Sequence, residues 1–324
     1  MSDKNRVGVK RLGLFVMLAA IVVAVSGLVI WRQINLVKTD NDPKSAEVEQ
    51  RNAQKAIEDY TQALELNPND ATGYFHRGLI YTRQGNFQKA IEDYNQAIKL
   101  KPNFGEAYNT RGSAYFRQGN SQKAIEDYTQ AIKLNPSDAE AYFDRGLAYA
   151  KQGNVQKAIE DYTQTIKLRP NFAEAYSNRG VAYAKQGNVQ QAIEDYTQAI
   201  KLDPYYAEAY YNRGIAYYNQ GNSQRAIEDY TQAIKLRPNF AKAYSNRGAT
   251  YVNKGNFQKA IEDFNQAIKL DPYYGWAYYN RGLAYREKGD NQSAAKDLRR
   301  ALELTQDPAL QQLAEQELRE LGVQ

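Results

Sequence analysis

The stretch Ala173–Tyr206 reads AEAYSNRGVAYAKQGNVQQAIEDYTQAIKLDPYY, and its spacing predicts two short helices joined by a tight turn. Tyr176, Gly180 and Tyr183 are four and three residues apart, which places them on one face of a first helix. Ala192, Tyr196 and Ala199 repeat the pattern in a second helix. Between the two, Gly187 suits the left-handed residue that ends a helix, and Asn188 suits the cap that begins the next. Pro204 has no N–H to donate, so the second helix stops before it. Small residues at Gly180, Ala192 and Ala199 let the helices approach closely, while the tyrosines fill the space between them.

The same 34-residue pattern begins at Ala71, Gly105, Ala139, Ala173, Ala207, Ala241 and Gly275, giving seven full units over residues 71–308. Residues 51–70, RNAQKAIEDYTQALELNPND, match only the second half of a unit. One such hairpin cannot bury its apolar face alone, so the units must stack and the ends need covers. After Pro308, Leu310, Leu313, Ala314, Leu318 and Leu321 form one stripe, with Gln311, Gln312, Glu315, Gln316 and Arg319 on the other side. Residues 309–324 therefore read as a solubilising C-terminal cap helix.

These units resemble the tetratricopeptide repeat. Its signature of aromatic, glycine, tyrosine, alanine, aromatic, alanine and proline falls in the first full unit on Tyr74, Gly78, Tyr81, Ala90, Tyr94, Ala97 and Pro102. Departures are few: Thr165 stands for the second alanine, Leu298 for the second aromatic and Gln306 for the proline. The resemblance implies an all-α fold, with helix-turn-helix repeats stacked as a right-handed α-solenoid. Where the family usually carries leucine before the glycine, this chain carries arginine: Arg77, Arg111, Arg145, Arg179, Arg213, Arg247 and Arg281. An aspartate follows sixteen residues later in each unit, from Asp93 to Asp297. Each arginine is expected to pair with its aspartate across the hairpin, as Arg179 with Asp195.

Positions identical in every unit hold the scaffold, whereas positions that share a helix face yet vary are free to specify a ligand. In the first helix these are the second, fifth, ninth, twelfth and thirteenth residues, one stripe at spacings of three and four. In the family this stripe lines the concave groove that receives extended peptides or partner helices. Here its candidate binding residues are Phe75, Arg83, Phe116, Arg117, Phe143, Lys151, Lys185, Tyr211, Tyr218, Lys242, Trp276 and Tyr279. Aromatic and arginine side chains are favoured interface anchors. Glu106, Glu140, Glu174 and Glu208 flank the stripe, so an extended ligand of mixed charge suits it better than a polyanion. The competing reading is that the aromatics pack the first helices against neighbouring units. Some cochaperones of this family clamp a C-terminal carboxylate with lysines, asparagines and an arginine. The best register here supplies only Asn212 and Lys242, with Ser177, Val181 and Asn246 at the other places, which disfavours that ligand.

Leu12–Trp31 is an uncharged run of 20 residues, LGLFVMLAAIVVAVSGLVIW. At 1.5 Å per residue it would span ~30 Å, about a bilayer core. Lys4, Arg6, Lys10 and Arg11 in the basic tail (residues 1–11) precede it, and Arg32, Lys38 and Lys44 follow, which favours a cytoplasmic N-terminus with the repeats across the membrane. A cleaved signal peptide ending near Ala24-Val25-Ser26 is the alternative, although the apolar run continues through Ile30. Residues 32–50 read as a polar linker.

The remaining composition excludes more than it adds. There is no cysteine and one histidine, His76, so thiolate, disulfide and histidine-based zinc chemistry are not expected. The net charge is +5, and the first 50 residues hold seven basic against five acidic side chains, leaving +3 interleaved over the rest. That balance lacks the basic stripe of a nucleic-acid binder. Glu92-Asp93 and its repeats lie side by side on helices, where neighbours point ~100° apart and do not converge as an acid–base pair. No enzyme, cofactor or small-molecule substrate is expected. The reading is a membrane-anchored scaffold that binds other proteins, the alternative a structural protein that self-associates. The regular Asn-Arg-Gly style of the units is similar to that of bacterial, especially cyanobacterial, repeats.

Overall fold

The computed structural model describes residues 43–322, so the basic tail and the apolar run at 12–31 lie outside the described residues. Within them the chain forms sixteen α-helices and no strand. No helix among the described residues is long and apolar enough to cross a membrane. A long α1 (Pro43–Leu66) comes first. Seven pairs of helices follow in chain order: α2 (Ala71–Arg83) and α3 (Phe87–Leu100), α4 (Gly105–Arg117) and α5 (Ser121–Leu134), α6 (Ala139–Lys151) and α7 (Val155–Leu168), and α8 (Ala173–Lys185) and α9 (Val189–Leu202). The last three are α10 (Ala207–Asn219) with α11 (Ser223–Leu236), α12 (Ala241–Asn253) with α13 (Phe257–Leu270), and α14 (Gly275–Glu287) with α15 (Asn291–Leu304). The chain closes with α16 (Pro308–Glu320). Two compact units divide between Ala182 and Tyr183, and within each the helices stack in chain order as a tandem-repeat solenoid.

The turn inside each hairpin depends on one glycine. Gly153, for example, sits at φ +80°, a left-handed conformation that side-chain-bearing residues avoid. Asn154 then caps α7, its side chain accepting from the Lys157 N–H. In the half-repeat, Arg51 occupies the place of that glycine. No turn forms there, and α1 runs unbroken from Pro43 to Leu66. The expected linker is thereby corrected: residues 43–50 are helical, because a side chain at residue 51 favours continuing the helix over reversing it.

A second glycine sets the helix spacing. A Cβ at Gly146 would come within 2.7 Å of the Tyr162 ring, closer than atoms pack, so the first helix rests directly on the tyrosine. Tyr162 is 1 % exposed, and Ala158 beside it has no exposed surface. Where Leu298 replaces the aromatic, the same hypothetical Cβ at Gly282 is less crowded but still tight, 3.2 Å from both the Leu298 side chain and the Ala294 carbonyl oxygen.

Six of the expected arginine–aspartate pairs form: those of Arg77, Arg111, Arg145, Arg213, Arg247 and Arg281. Each is bidentate, as when Arg145 Nε and Nη2 donate to the two oxygens of Asp161 at 2.8 Å. Arg179 and Asp195 lie on either side of the division between the two units. The remaining guanidinium nitrogen, Nη1, was not foreseen from the spacing. It donates to Thr or Asn on the second helix of the preceding repeat: Arg145 to Thr129 at 3.1 Å, Arg111 to Asn95 at 2.6 Å. One side chain thus joins three helices. At the C-terminal end, Leu310, Ala314 and Leu318 bury against Tyr279, Leu283 and Leu298, and Arg286 bonds Glu317 and Glu320 of α16. Leu313 and Leu321 are partly buried against the same cluster.

Candidate functional site

The variable stripe of the first helices divides into a buried part and an exposed part. Its fifth-place aromatics turn inward. Phe75, Phe143, Tyr211 and Tyr279 are at most 5 % exposed. Phe75 meets Phe104 at 4.8 Å, Phe143 meets Phe172 at 4.7 Å and Tyr211 meets Phe240 at 4.7 Å between ring centroids. Tyr211 Oη also accepts a hydrogen bond from Asn246 at 3.1 Å. Phe116 is 8 % exposed and lies beneath the Lys151 ammonium, 4.7 Å from its ring. The three ring contacts are with the phenylalanine that ends the same repeat, whereas the Tyr211–Asn246 and Phe116–Lys151 contacts reach the next one.

Three cations remain on the surface. Arg83, Arg117 and Lys151 stand at the thirteenth place of α2, α4 and α6, and all three are exposed. None has a carboxylate partner among the described residues. Arg117 lies 5.7 Å from the Phe87 ring and Lys151 over Phe116, so aromatic faces steer two of them. Further along, Lys185, Tyr218, Lys242 and Trp276 are half-buried. Burial pushes the Lys185 amine below the usual lysine value, and does so at Lys242 against the pull of Asp271. Tyr218 accepts from Asn253, and Trp276 packs edge-on against Tyr279 at 5.8 Å. The stripe is therefore continuous in sequence but not in chemistry: exposed cations in the earlier repeats, half-buried polar groups in the later ones.

Two of the flanking glutamates are already engaged. Glu208 pairs with Arg237, and Glu140 lies 3.5 Å from Arg169. Those arginines cover the rings of Phe240 and Phe172, at 4.8 and 4.9 Å. This exposes an alternation that the single-repeat alignment missed. Three of the four repeats with a large fifth residue, those of Phe75, Phe143 and Tyr211, end in Lys/Arg-Pro-Asn-Phe: Lys101–Phe104, Arg169–Phe172 and Arg237–Phe240. Those with Ser177 or Ser245 end in Asp-Pro-Tyr-Tyr, Asp203–Tyr206 and Asp271–Tyr274. Both serines are fully buried. The period of packing is thus two repeats, and comparing alternate repeats in the sequence would have revealed it. Among the described residues no group of three or more His, Asp or Glu side chains is placed to hold a metal ion.

Comparison with known proteins agrees with this architecture. The TPR repeat family model matches residues 45–85, 78–119, 112–153, 148–187 and 182–221. Tetratricopeptide repeat models match residues 207–240, 241–274 and 275–308. No curated protein matches the chain significantly. Among solved structures, a tetratricopeptide repeat protein from Parabacteroides merdae is 20% identical over 76% of this chain and 97% of its own, with a TM-score of 0.61. YrrB, described as a TPR protein with an unusual peptide-binding site, is 23% identical over 57% of this chain and 95% of its own, TM-score 0.51. A fragment of MamA from Desulfovibrio magneticus is 25% identical over 52% of this chain and 96% of its own, TM-score 0.50. At these identities the structural likenesses speak for the fold.

Proposed function

This chain belongs to the tetratricopeptide repeat family, and from that membership we propose that it is a membrane-tethered scaffold which binds extended segments of other proteins along its first helices. The observation that carries the proposal is the row Arg83, Arg117 and Lys151: three exposed cations at the same place in successive repeats, without anionic partners among the described residues. Arg169 and Arg237 show what happens to cations the fold itself employs, since both are paired with glutamate. A row left unpaired at the repeat spacing suits an extended segment that presents carboxylates at intervals. An apolar residue of such a segment would meet the half-buried Phe87 ring beside Arg117. The uncharged run Leu12–Trp31 supplies the tether, with the repeats on the far side from the basic N-terminus. YrrB, which shares the fold, has a peptide-binding site, in keeping with this use of the surface.

The test is a comparative pull-down from the native membrane extract. The full chain serves as bait beside a variant carrying Arg83→Glu, Arg117→Glu and Lys151→Glu, which leaves the buried aromatics untouched. Partners held by the first and lost by the second, at unchanged helicity, are the expected outcome. Equal recovery by both baits would remove the cation row from the binding surface.

A further inference from the structure

The N-terminal half-repeat presents a surface that every complete hairpin covers. In α3, Ala90, Tyr94 and Ala97 have no exposed surface and Asp93 is 5 % exposed, because α2 lies over them. The same residue types recur in α1 as Ala56, Asp59, Tyr60 and Ala63, on one helix face at spacings of three and four. Here Asp59 and Ala63 are exposed, and Ala56 and Tyr60 only half-buried. Leu66 is 89% exposed, while the leucines at its place in three complete hairpins, Leu134, Leu168 and Leu270, are 37–39% exposed. The covering residue is identifiable in those hairpins: a Cβ at Gly105, the first residue of α4, would sit 3.5 Å from the Leu134 Cβ. Asp59 has no cation partner among the described residues, whereas Asp93, at its place in the next hairpin, holds a bidentate arginine. The adjoining face of α1 is already used, since Ile57 and Leu64 are buried and Thr61 accepts from Arg77.

We propose that this open face of α1 is a seat for a helix of a partner protein, and that the helix carries an arginine immediately before a glycine. The internal hairpins define its chemistry. An arginine would pair with Asp59. A glycine next to it would let the backbone rest on Tyr60, as Gly78 does on Tyr94, where a Cβ would lie only 2.6 Å from the ring. A small residue seven positions before the glycine would lie over Ala63 and Leu66, as Gly105 lies over Ala131 and Leu134. A second copy of α1 is a poor occupant, because face-to-face pairing would bring two Asp59 carboxylates together. The seat is separate from the cation row on α2, α4 and α6, and does not depend on it.

The chain has no cysteine, so Ala63→Cys introduces the only thiol. The experiment uses the full chain in detergent, in a glutathione redox buffer, with a synthetic peptide of residues 173–185, AEAYSNRGVAYAK, whose first alanine is replaced by cysteine. Disulfide capture is read by mass spectrometry, with Glu65→Cys on the solvent side of α1 as the control. Capture by Ala63→Cys about tenfold above the control is expected, and about tenfold lower for a peptide with Arg179→Glu and Gly180→Val. Combining Asp59→Arg in the chain with Arg179→Asp in the peptide should restore it. Equal capture at both sites overturns the proposal. So does a chain–chain disulfide through residue 63 that outcompetes the peptide, or a residue 63 thiol that the peptide cannot reach.

Discussion

Each repeat is organised around one guanidinium. Arg145 donates two bonds to Asp161 within its hairpin and one to Thr129 of the repeat before, while its Cζ lies 5.6 Å from the Tyr142 ring. Burial pushes Asp161 above the usual carboxylate range, against the pull of Arg145, so desolvation offsets much of the Coulombic gain. The pair therefore contributes geometry more than net stability. Removing one member is a different matter, because it strands a largely buried charge. Asp161→Ala is expected to cost about 2–4 kcal/mol, and the double change Arg145→Met with Asp161→Leu less than half as much. Urea unfolding of the parent and the two variants checks this; a double-variant loss as large as that of Asp161→Ala would show that the stranded charge is not the source of the cost.

At the scale of the helix, glycines with different surroundings answer the same substitution with opposite signs. Gly105 has room for a methyl group, its nearest contact being the Leu134 Cβ at 3.5 Å, and five other repeats carry alanine at that place. Gly105→Ala is expected to stabilise by ~0.4–1 kcal/mol, by narrowing the freedom of the unfolded chain. Gly146→Ala gains similar helix propensity, ~1 kcal/mol, but drives its Cβ into the buried Tyr162 ring, at an expected cost of about 1–3 kcal/mol. Thermal melting of both variants decides the matter, and a Gly146→Ala protein more stable than the parent would mean that the hairpin can open without loss. The same reasoning explains α1. Its second-helix residues were legible in the sequence, but its length followed from Arg51, whose consequence is visible only beside the glycines that turn the other hairpins.

Summed over the molecule, the tyrosine core makes stability depend on alkaline pH. Burial pushes Tyr94 up to about 12 and carries Tyr162, Tyr196 and Tyr230 further above the ordinary value. For a group whose folded pKa is raised, the stabilisation is complete below the unfolded value near 10 and is lost as pH rises beyond it. Each fully buried tyrosine then contributes a loss of ~1.4 kcal/mol per pH unit above about 10. Melting temperatures followed by circular dichroism should stay level from pH 8 to 9 and fall progressively from pH 10 to 11.5. A level curve throughout would show that the tyrosines ionise within the fold. Because one such ring sits in nearly every repeat, the effect is spread along the chain rather than confined to a site.

The sequence by itself determined the repeats, their two helices, the turns and the arginine–aspartate pairing. These follow from local spacing: residues three and four apart share a helix face, a glycine permits the turn, and identical places meet identical partners in each repeat. The candidate stripe was legible as a helix face, but its division was not. Periodicity fixes the angle at which Phe143 leaves its helix, and says nothing about Phe172 arriving from the end of the same repeat to cover it. Only the tertiary structure decided that Phe75, Phe143, Tyr211 and Tyr279 are packing residues while Arg83, Arg117 and Lys151 stay in solvent. It alone placed the third arginine bond on the preceding repeat and left one face of α1 uncovered by the described residues. Burial is a property of what lies opposite, and that is supplied by residues distant along the chain.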